Sequence, residues 1–192
     1  MIVLETKRLL FREHRSEDLE SFCRLEADPD VRRFVGGIPR TREVAERKFR
    51  HGFLKLKANP LRLWATVFKE DGQYIGYCGI YPHFRSGGRP VPHEGTLGFT
   101  LAREYWNRGL ATEAAKAFVD FGLNELRLRR IVATVEVGNA ASVHILEKLG
   151  FQLSRLERIG SRSLYHLELR NPSCTNRVSA VKRKYARGTT RS

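Results

Sequence analysis

The sequence predicts one mixed α/β domain, with strands and helices taking turns around a single sheet. Three observations carry that expectation. An apolar strand over residues 96–101 runs through a glycine-bearing turn into a helix that sets Leu110, Ala114, Phe118 and Phe121 on one face, a 3.6-residue period. A second strand over residues 130–137 follows, so the middle of the chain reads strand, turn, helix, strand. The chain has 192 residues, 41% of them apolar, which is enough for one sizeable core and short of what two domains need.

Taken in order, residues 3–13 read as the first strand. Ser16 or Asp18 is placed to cap a helix running toward Ala27, and Asp28-Pro29-Asp30 breaks it. Pro39 and Thr41 introduce a second helix reaching about Lys57. Its charges (Arg42, Arg47, Lys48, Arg50, Lys55, Lys57) leave a narrow apolar stripe of Val44, Phe49, Phe53 and Leu56, and Asn59-Pro60 ends it. Residues 61–68 and 74–81 form a hairpin closed at Glu70-Asp71-Gly72, a turn that tolerates positive φ. A loop over residues 83–93 separates the hairpin from the strand at 96–101. Further on, Gly150 suits the position after a helix C-terminus, with Phe151 folding back on the last turn, and residues 152–157 and 163–169 supply closing strands. No repeat and no linker precedes residue 170. A domain over residues 1–170 and a basic, flexible tail over 171–192 are therefore expected.

The net charge of +14 is unevenly placed, because residues 170–192 hold seven Lys or Arg and no Asp or Glu. Two readings of that segment stand: a solvated terminus that buries too little surface to order, and an electrostatic handle for RNA or ribosomes. No aromatic platform or RNA-binding motif accompanies it. Cys23, Cys78 and Cys174 are odd in number and far apart, so neither a disulfide framework nor a zinc site is expected. The six histidines show no paired spacing on a helix face, and no metal is implied. No apolar run approaches membrane-spanning length, and Glu5, Lys7 and Arg8 interrupt the start where a signal peptide needs its apolar stretch. A cytoplasmic location is expected.

The turn Trp106-Asn107-Arg108-Gly109-Leu110-Ala111-Thr112-Glu113 carries the chemistry. A strand-to-helix turn points free backbone N–H groups outward, and a helix N-terminus adds roughly half a positive charge. Gly109, without a Cβ, lets an anion such as a diphosphate approach the main chain. An ordinary βα connection is the alternative, and a second motif argues against it: after the strand at 130–137 come Gly138-Asn139 and a short helix ending in Leu149-Gly150-Phe151.

Strand, phosphate turn, helix, strand, Asn-x-x-Ser, short helix and Gly-Phe together resemble the acetyl-coenzyme A site of the GNAT N-acetyltransferase superfamily. The run Asn139-Ala140-Ala141-Ser142-Val143-His144-Ile145-Leu146-Glu147-Lys148-Leu149-Gly150-Phe151 is similar to its RimJ/RimL branch. So is the opening Leu4-Glu5-Thr6-Lys7-Arg8-Leu9-Leu10-Phe11-Arg12-Glu13, and the likeness covers about residues 1–169. It implies the GNAT acyl-CoA N-acyltransferase fold: a central, twisted, mostly antiparallel sheet with splayed fourth and fifth strands, flanked by helices. Acetyl-CoA is the implied co-substrate, without a metal.

Carried over by position, the resemblance implies that the backbone at Asn107, Arg108, Gly109, Leu110, Ala111 and Thr112 surrounds the pyrophosphate. Arg108 adds charge and Thr112 a hydroxyl. Trp106 departs from the family's usual Gln or Arg. Phe99, Thr100 and Leu101 lie along the pantetheine, where an unpaired strand edge polarises the thioester carbonyl. Asn139 bonds the pantetheine from the other side, or is a plain turn asparagine. Lys148 reaches a phosphate, or merely complements the helix C-terminus.

The implied chemistry is direct attack of a neutral amine on the thioester. RimI-like relatives use a glutamate five positions before the asparagine as base and a tyrosine seven after it as acid; Thr134 and Leu146 stand there in this chain. Ser142 becomes the candidate acid, with helix capping as its other role. Glu94 and His93 are the leading base candidates, followed by Glu136, His83 and His144. Without an obvious strong base, the site suits an α-amine, with a pKa near ~8, better than a lysine near ~10.4. The resemblance implies N-terminal acetylation of a protein, ribosomal proteins among the candidates. A small-molecule or antibiotic amine is the second reading, and a catalytically idle scaffold binding RNA or ribosomes through the tail is the third. The chain is expected as a monomer or homodimer, without membrane contact.

Overall fold

The computed structural model describes residues 2–54, 59–84 and 88–173. Among these, β1 (Ile2–Glu5), β2 (Leu9–Arg12), β3 (Arg62–Phe68), β4 (Tyr74–Phe84), β5 (Pro90–Leu101), β6 (Arg130–Glu136), β7 (Gln152–Ile159) and β8 (Arg162–Arg170) form one sheet. Its order is β1-β2-β3-β4-β5-β6-β8-β7, and every neighbouring pair is antiparallel except β5 and β6. The expected mixed α/β sheet, mostly antiparallel and flanked by helices, is what forms.

Each face carries its own core. On one side α4 (Leu110–Asn124) lays Leu110, Ala114, Phe118 and Val119 against Phe11, Trp64, Ile80 and Leu97, and α5 (Ala140–Lys148) adds Leu146. On the other side α1 (Leu19–Ala27), α2 (Pro29–Arg32) and α3 (Arg42–Lys48) gather Phe22, Leu25, Val31, Ala45, Phe49 and Phe53 over Tyr77 of β4. The α1-side face of β6 and β8 presents Thr134 and His166, which stand opposite each other in register.

Several local expectations are corrected. The first strand is two, because Thr6, Lys7 and Arg8 turn the chain so that β1 and β2 pair with each other, which makes the splayed strands β5 and β6. Neither Ser16 nor Asp18 caps α1 by its side chain: Asp18 is buried, bonded to both terminal guanidinium nitrogens of Arg12 at 2.7 Å and to the Arg15 amide at 2.8 Å. Asp28-Pro29-Asp30 ends α1 but also starts α2, since Asp28 Oδ1 accepts from the amides of Asp30 and Val31 and Pro29 fills the first helical position. The second helix winds into a π-helical turn over Phe49–Phe53 that rotates its apolar face, burying Ala45 and leaving Val44 exposed. Leu56 and the rest of residues 55–58 lie outside the described residues. The loop at 83–93 is partly strand, as β4 extends to Phe84 and β5 begins at Pro90.

Asn171 follows β8 directly. Its buried amide nitrogen donates to the carbonyls of Leu123 and Leu128 at 3.1 and 3.0 Å, tying the end of β8 to the end of α4. The expected basic tail falls almost wholly on residues 174–192, with Cys174 among them, outside the described residues. No helix among the described residues is long and apolar enough to cross a membrane.

Candidate functional site

Strands β5 and β6 pair at only three positions, Glu94 with Arg130, Gly95 with Ile131 and Thr96 with Val132. Beyond Thr96 they part, and a cleft of about 470 Å³ opens between them. Phe99, Thr100 and Leu101 of β5 line one wall; Asn139, Ala141, Ser142, His144 and Ile145 line the other. The floor is the turn into α4, including Asn107, Gly109, Leu110, Ala111 and Thr112.

That turn is built to leave its amides unused. Asn107 and Gly109 both sit in the left-handed region, at φ 57° and 72°, which swings the chain so that the amides of residues 107–112 precede the first helical hydrogen bond, Glu113 N–H to the Gly109 carbonyl at 3.1 Å. None of those six amides donates to a protein acceptor among the described residues. A row of outward N–H groups at a helix N-terminus is a positive concavity suited to an anion. Gly109 is demanded by its φ rather than by crowding, since the nearest atom to an added Cβ is the Arg8 guanidinium at 3.5 Å.

Side chains then fix the turn. Trp106 donates its indole N–H to the Leu101 carbonyl at 2.8 Å, bracing the turn on the strand that feeds it. Glu113, in the first turn of α4, accepts from Thr6 Oγ1 at 2.6 Å, from the Arg8 amide at 3.0 Å and from Arg8 Nε at 2.6 Å, while Arg8 Nη1 donates to the Arg108 carbonyl at 2.8 Å. These bonds hold the Glu113 carboxyl below the ordinary carboxylate range despite its partial burial. Nothing local to the turn announces Arg8: its contact with residue 108 spans 100 positions.

The other predicted residues divide. Asn139 caps α5, its Oδ1 accepting from the Ser142 amide at 3.2 Å, while the Nδ2 group takes no part in that bond. Ser142 therefore sits in the first turn of α5 facing the cleft. Arg108 is not among the cleft-lining residues: its guanidinium stacks 4.6 Å over Phe68 and 5.5 Å over Tyr105, the latter itself part of the lining. Lys148 lies exposed in the last turn of α5 and outside the cleft lining, in the geometry that complements a helix C-terminus.

His93 and Glu94 are not brought to the cleft. They stand at the closed end of the β5–β6 pair, where Glu94 is held by Arg130 at 2.5 Å and Arg130 also holds Glu168 at 2.8 Å; the His93 carbonyl accepts from Arg129. Among the secondary candidates, His144 lines the cleft, Glu136 is doubly bonded to Arg162, and His83 Nδ1 lies 3.3 Å from Thr96 Oγ1 on β5. No group of His, Cys, Asp and Glu among the described residues could hold a metal.

One further wall has no counterpart in the sequence reading. Asp30, Val31, Arg33, Phe34 and Val35, from α2 and the turn after it, border the cleft, and Arg103 anchors them through Asp30 at 2.6 Å. The signal was present as Asp28 before Pro29, a helix start hidden inside a helix stop.

Comparison with known proteins agrees with the geometry. A family model described as an acetyltransferase (GNAT) domain matches residues 8–152. An uncharacterised N-acetyltransferase p20 of Bacillus licheniformis is 32% identical over 160 residues, 82% of this chain and 86% of that protein. Two solved structures share the fold. Spermidine N-acetyltransferase from Vibrio cholerae, in complex with CoA and spermine, aligns with a TM-score of 0.70 at 16% identity over 86% of this chain and 97% of that one. Ribosomal-protein-S5-alanine acetyltransferase from Vibrio fischeri aligns with 0.68 at 18% identity over 90% and 97%.

Proposed function

Because the chain belongs to the GNAT acetyltransferase family, whose members it matches over most of its length, we propose that it transfers the acetyl group of acetyl-CoA to the α-amine of a protein N-terminus. That it is an N-acetyltransferase follows from the family; the co-substrate's seating and the acceptor are the reading made here. One observation carries it: six consecutive uncommitted amides, residues 107–112, at the foot of a cleft between two diverging strands. They receive the pyrophosphate, and Thr112 adds a hydroxyl. Pantetheine runs between the open edge of β5 at residues 99–101 and Asn139, whose Nδ2 group donates to it. The thioester then lies where β5 and β6 separate, with Ser142 on the α5 side to protonate the departing sulfur.

Two features favour an α-amine over a lysine or polyamine. Among the described residues the cleft lining offers one carboxylate, Asp30, paired with Arg103, and one imidazole, His144, whereas an amine with a pKa near ~8 is about a tenth neutral at pH 7, against roughly one in a few thousand for lysine. The described cleft lining also carries Arg33 against one carboxylate, Asp30, which is itself paired with Arg103, a poor setting for a polycation. The spermidine enzyme shares the fold and marks the competing acceptor class. A ribosomal-protein N-terminus would also give the basic residues after Arg170 a role beside rRNA.

The test offers acetyl-CoA with peptides carrying free N-termini, the same peptides blocked at the N-terminus but containing lysine, spermidine and an aminoglycoside, following thiol release and product mass. Acetylation of free N-termini with little on blocked peptides is expected. Faster turnover of spermidine or the aminoglycoside moves the protein to small-molecule acetylation. Deleting residues 174–192 is expected to leave turnover of short peptides intact and to weaken salt-sensitive RNA binding; unchanged RNA binding removes the tail from the reading.

A further inference from the structure

His144 is the imidazole that lines the cleft among the described residues, and a second imidazole stands on the α1-side face of the sheet. Thr134 is the next residue on that face of β6 after Val132, the last one paired with β5, so it occupies the first outward position where the strands have parted. It is exposed, and its partner across the β6–β8 ladder is His166. His166 Nδ1 lies 3.5 Å from Thr134 Oγ1, and His166 Nε2 lies 2.6 Å from Glu157 Oε2 on β7. The carboxylate is close to Nε2 but out of line with its N–H. Three strands thus deliver a carboxylate, an imidazole and a hydroxyl in a row that ends at Thr134, two residues past the last β5–β6 pair.

We infer that this row is the proton-accepting relay for the acceptor amine: Thr134 touches the amine, His166 takes the proton, and Glu157 orients the imidazole. This rests on the acetyl-transfer reading above. The amine lone pair forms the C–N bond at the thioester carbonyl carbon, and the C–S bond breaks with its electron pair on sulfur, which takes a proton from Ser142. The nitrogen's proton passes to Thr134 Oγ1 as the Thr134 hydroxyl hydrogen moves to His166 Nδ1. Return of that proton to Ser142 through solvent restores the enzyme. The relay uses the tautomer with its proton on Nε2, which leaves Nδ1 to accept.

The charged neighbours do not compete for the imidazole. Arg155, opposite His166 on β7, bonds Glu157 Oε2 at 3.1 Å; Glu168, on the same face of β8, is held by Arg130 and Arg170; Glu136, on the same face of β6, is held by Arg162. His83, also on this side of the sheet, sits against Thr96, the last β5 residue paired with β6.

The experiment measures kcat/KM against pH for wild type, His166→Gln, Glu157→Gln, Thr134→Val and Thr134→Ser, using the full chain, acetyl-CoA and the best free-N-terminus peptide, with acetyl-CoA affinity by calorimetry. A general base contributes about 100-fold or more, so His166→Gln is expected to lose roughly that factor near neutral pH with unchanged acetyl-CoA affinity. The deficit should shrink at alkaline pH as hydroxide takes the nitrogen's proton in place of the relay, a change of profile that a merely structural role does not produce. Thr134→Val should fall similarly and Thr134→Ser should recover, which keeps the test decisive if a His166 variant does not fold. Wild-type rates and profiles for both His166→Gln and Thr134→Val overturn the relay alone. A wild type that binds acetyl-CoA but acetylates no amine overturns the underlying reading and the relay with it.

Discussion

The two sides of the sheet solve the problem of polar groups in opposite ways. On the α4 side the site is made of main chain: six amides stay open, two left-handed residues shape the turn, and the charged braces, Arg8 and Glu113, stand at its rim. On the α1–α3 side polarity is buried and paired. Glu26 is fully buried and meets Arg40 at 3.0 Å, Arg32 at 3.4 Å, Lys48 at 2.9 Å and the Tyr77 hydroxyl at 3.1 Å. Lys48 also lies over the rings of Phe22, Phe53 and Tyr77, and its burial among them pulls its pKa down. The first arrangement keeps hydrogen-bonding capacity for a ligand, and the second spends it on holding three helices to the sheet. Substitutions should therefore separate: binding suffers on one side, stability on the other.

The largest effect is expected at Glu26. Replacing it by Ala removes the anion that meets buried Arg32 and partly buried Arg40 and Lys48, and breaking a buried pair from one side costs about 3–5 kcal/mol. Urea unfolding of Glu26→Ala measures this, and a loss below about 1 kcal/mol would erase the distinction between the two sides. Next comes Gly109→Glu. A side chain and a negative charge there oppose the pyrophosphate, so acetyl-CoA affinity should fall at least about 100-fold, whereas the left-handed φ costs only about 1–2 kcal/mol of stability. Calorimetry and unfolding on the same sample distinguish the two. Unchanged affinity in a folded variant would take the cofactor away from this turn.

The same contrast explains what the sequence disclosed. The strand, turn and helix at residues 96–124 announce themselves because each signal is local: an apolar strand, a glycine and a 3.6-residue stripe lie within one short stretch. Gly150 likewise ends α5 at φ 86°, with Phe151 N–H returning to the Leu146 carbonyl, as a glycine after a helix predicts. The ion cluster stayed hidden, since Glu26 and Tyr77 are 51 positions apart and nothing in either neighbourhood names the other. So did the relay: β8 inserts between β6 and β7, and only that order sets His166 between Thr134 and Glu157. Nor does the sequence show that Glu94 stands opposite Arg130 and is bonded to it, since the two are 36 positions apart.

His14 offers a pH test of the buried side. Its ring is packed edge-on against Phe49 and Phe53, with Nε2 3.2 Å from the Leu63 carbonyl, and burial lowers its pKa from 6.5 to about 4. A base whose folded pKa is depressed binds fewer protons folded than unfolded between those two values, so stability rises with pH across that window. The contribution is complete above about 6.5 and fades as pH falls toward 4. From pH 6.5 to pH 5 that amounts to about 2 kcal/mol, at about 1.4 kcal/mol per unit. His14→Asn should flatten the slope of unfolding free energy over this interval while lowering stability at pH 7. An unchanged slope would mean that the ring finds a proton partner in the folded state.

The smallest predicted effect joins the two designs. Arg8 is 40% exposed at its side chain, yet it reaches both Glu113 and the Arg108 carbonyl, so it behaves as a buried-side brace placed at the open-side turn. Exposed ion pairs contribute about 0–1 kcal/mol, which limits the stability loss of Arg8→Gln to that range. Its effect on binding should be larger than on folding, because the Arg108 carbonyl and the adjoining amides lose the contact that sets their direction, and the guanidinium beside Gly109 no longer adds positive charge near the anion. A three- to tenfold weakening of acetyl-CoA affinity is expected, about 0.7–1.4 kcal/mol, and it should shrink at high salt as the charge is screened. Arg8→Lys keeps the charge but not the two-way fork, so it separates the contributions: recovery of affinity assigns the effect to charge, and no recovery assigns it to the bond that orients the turn.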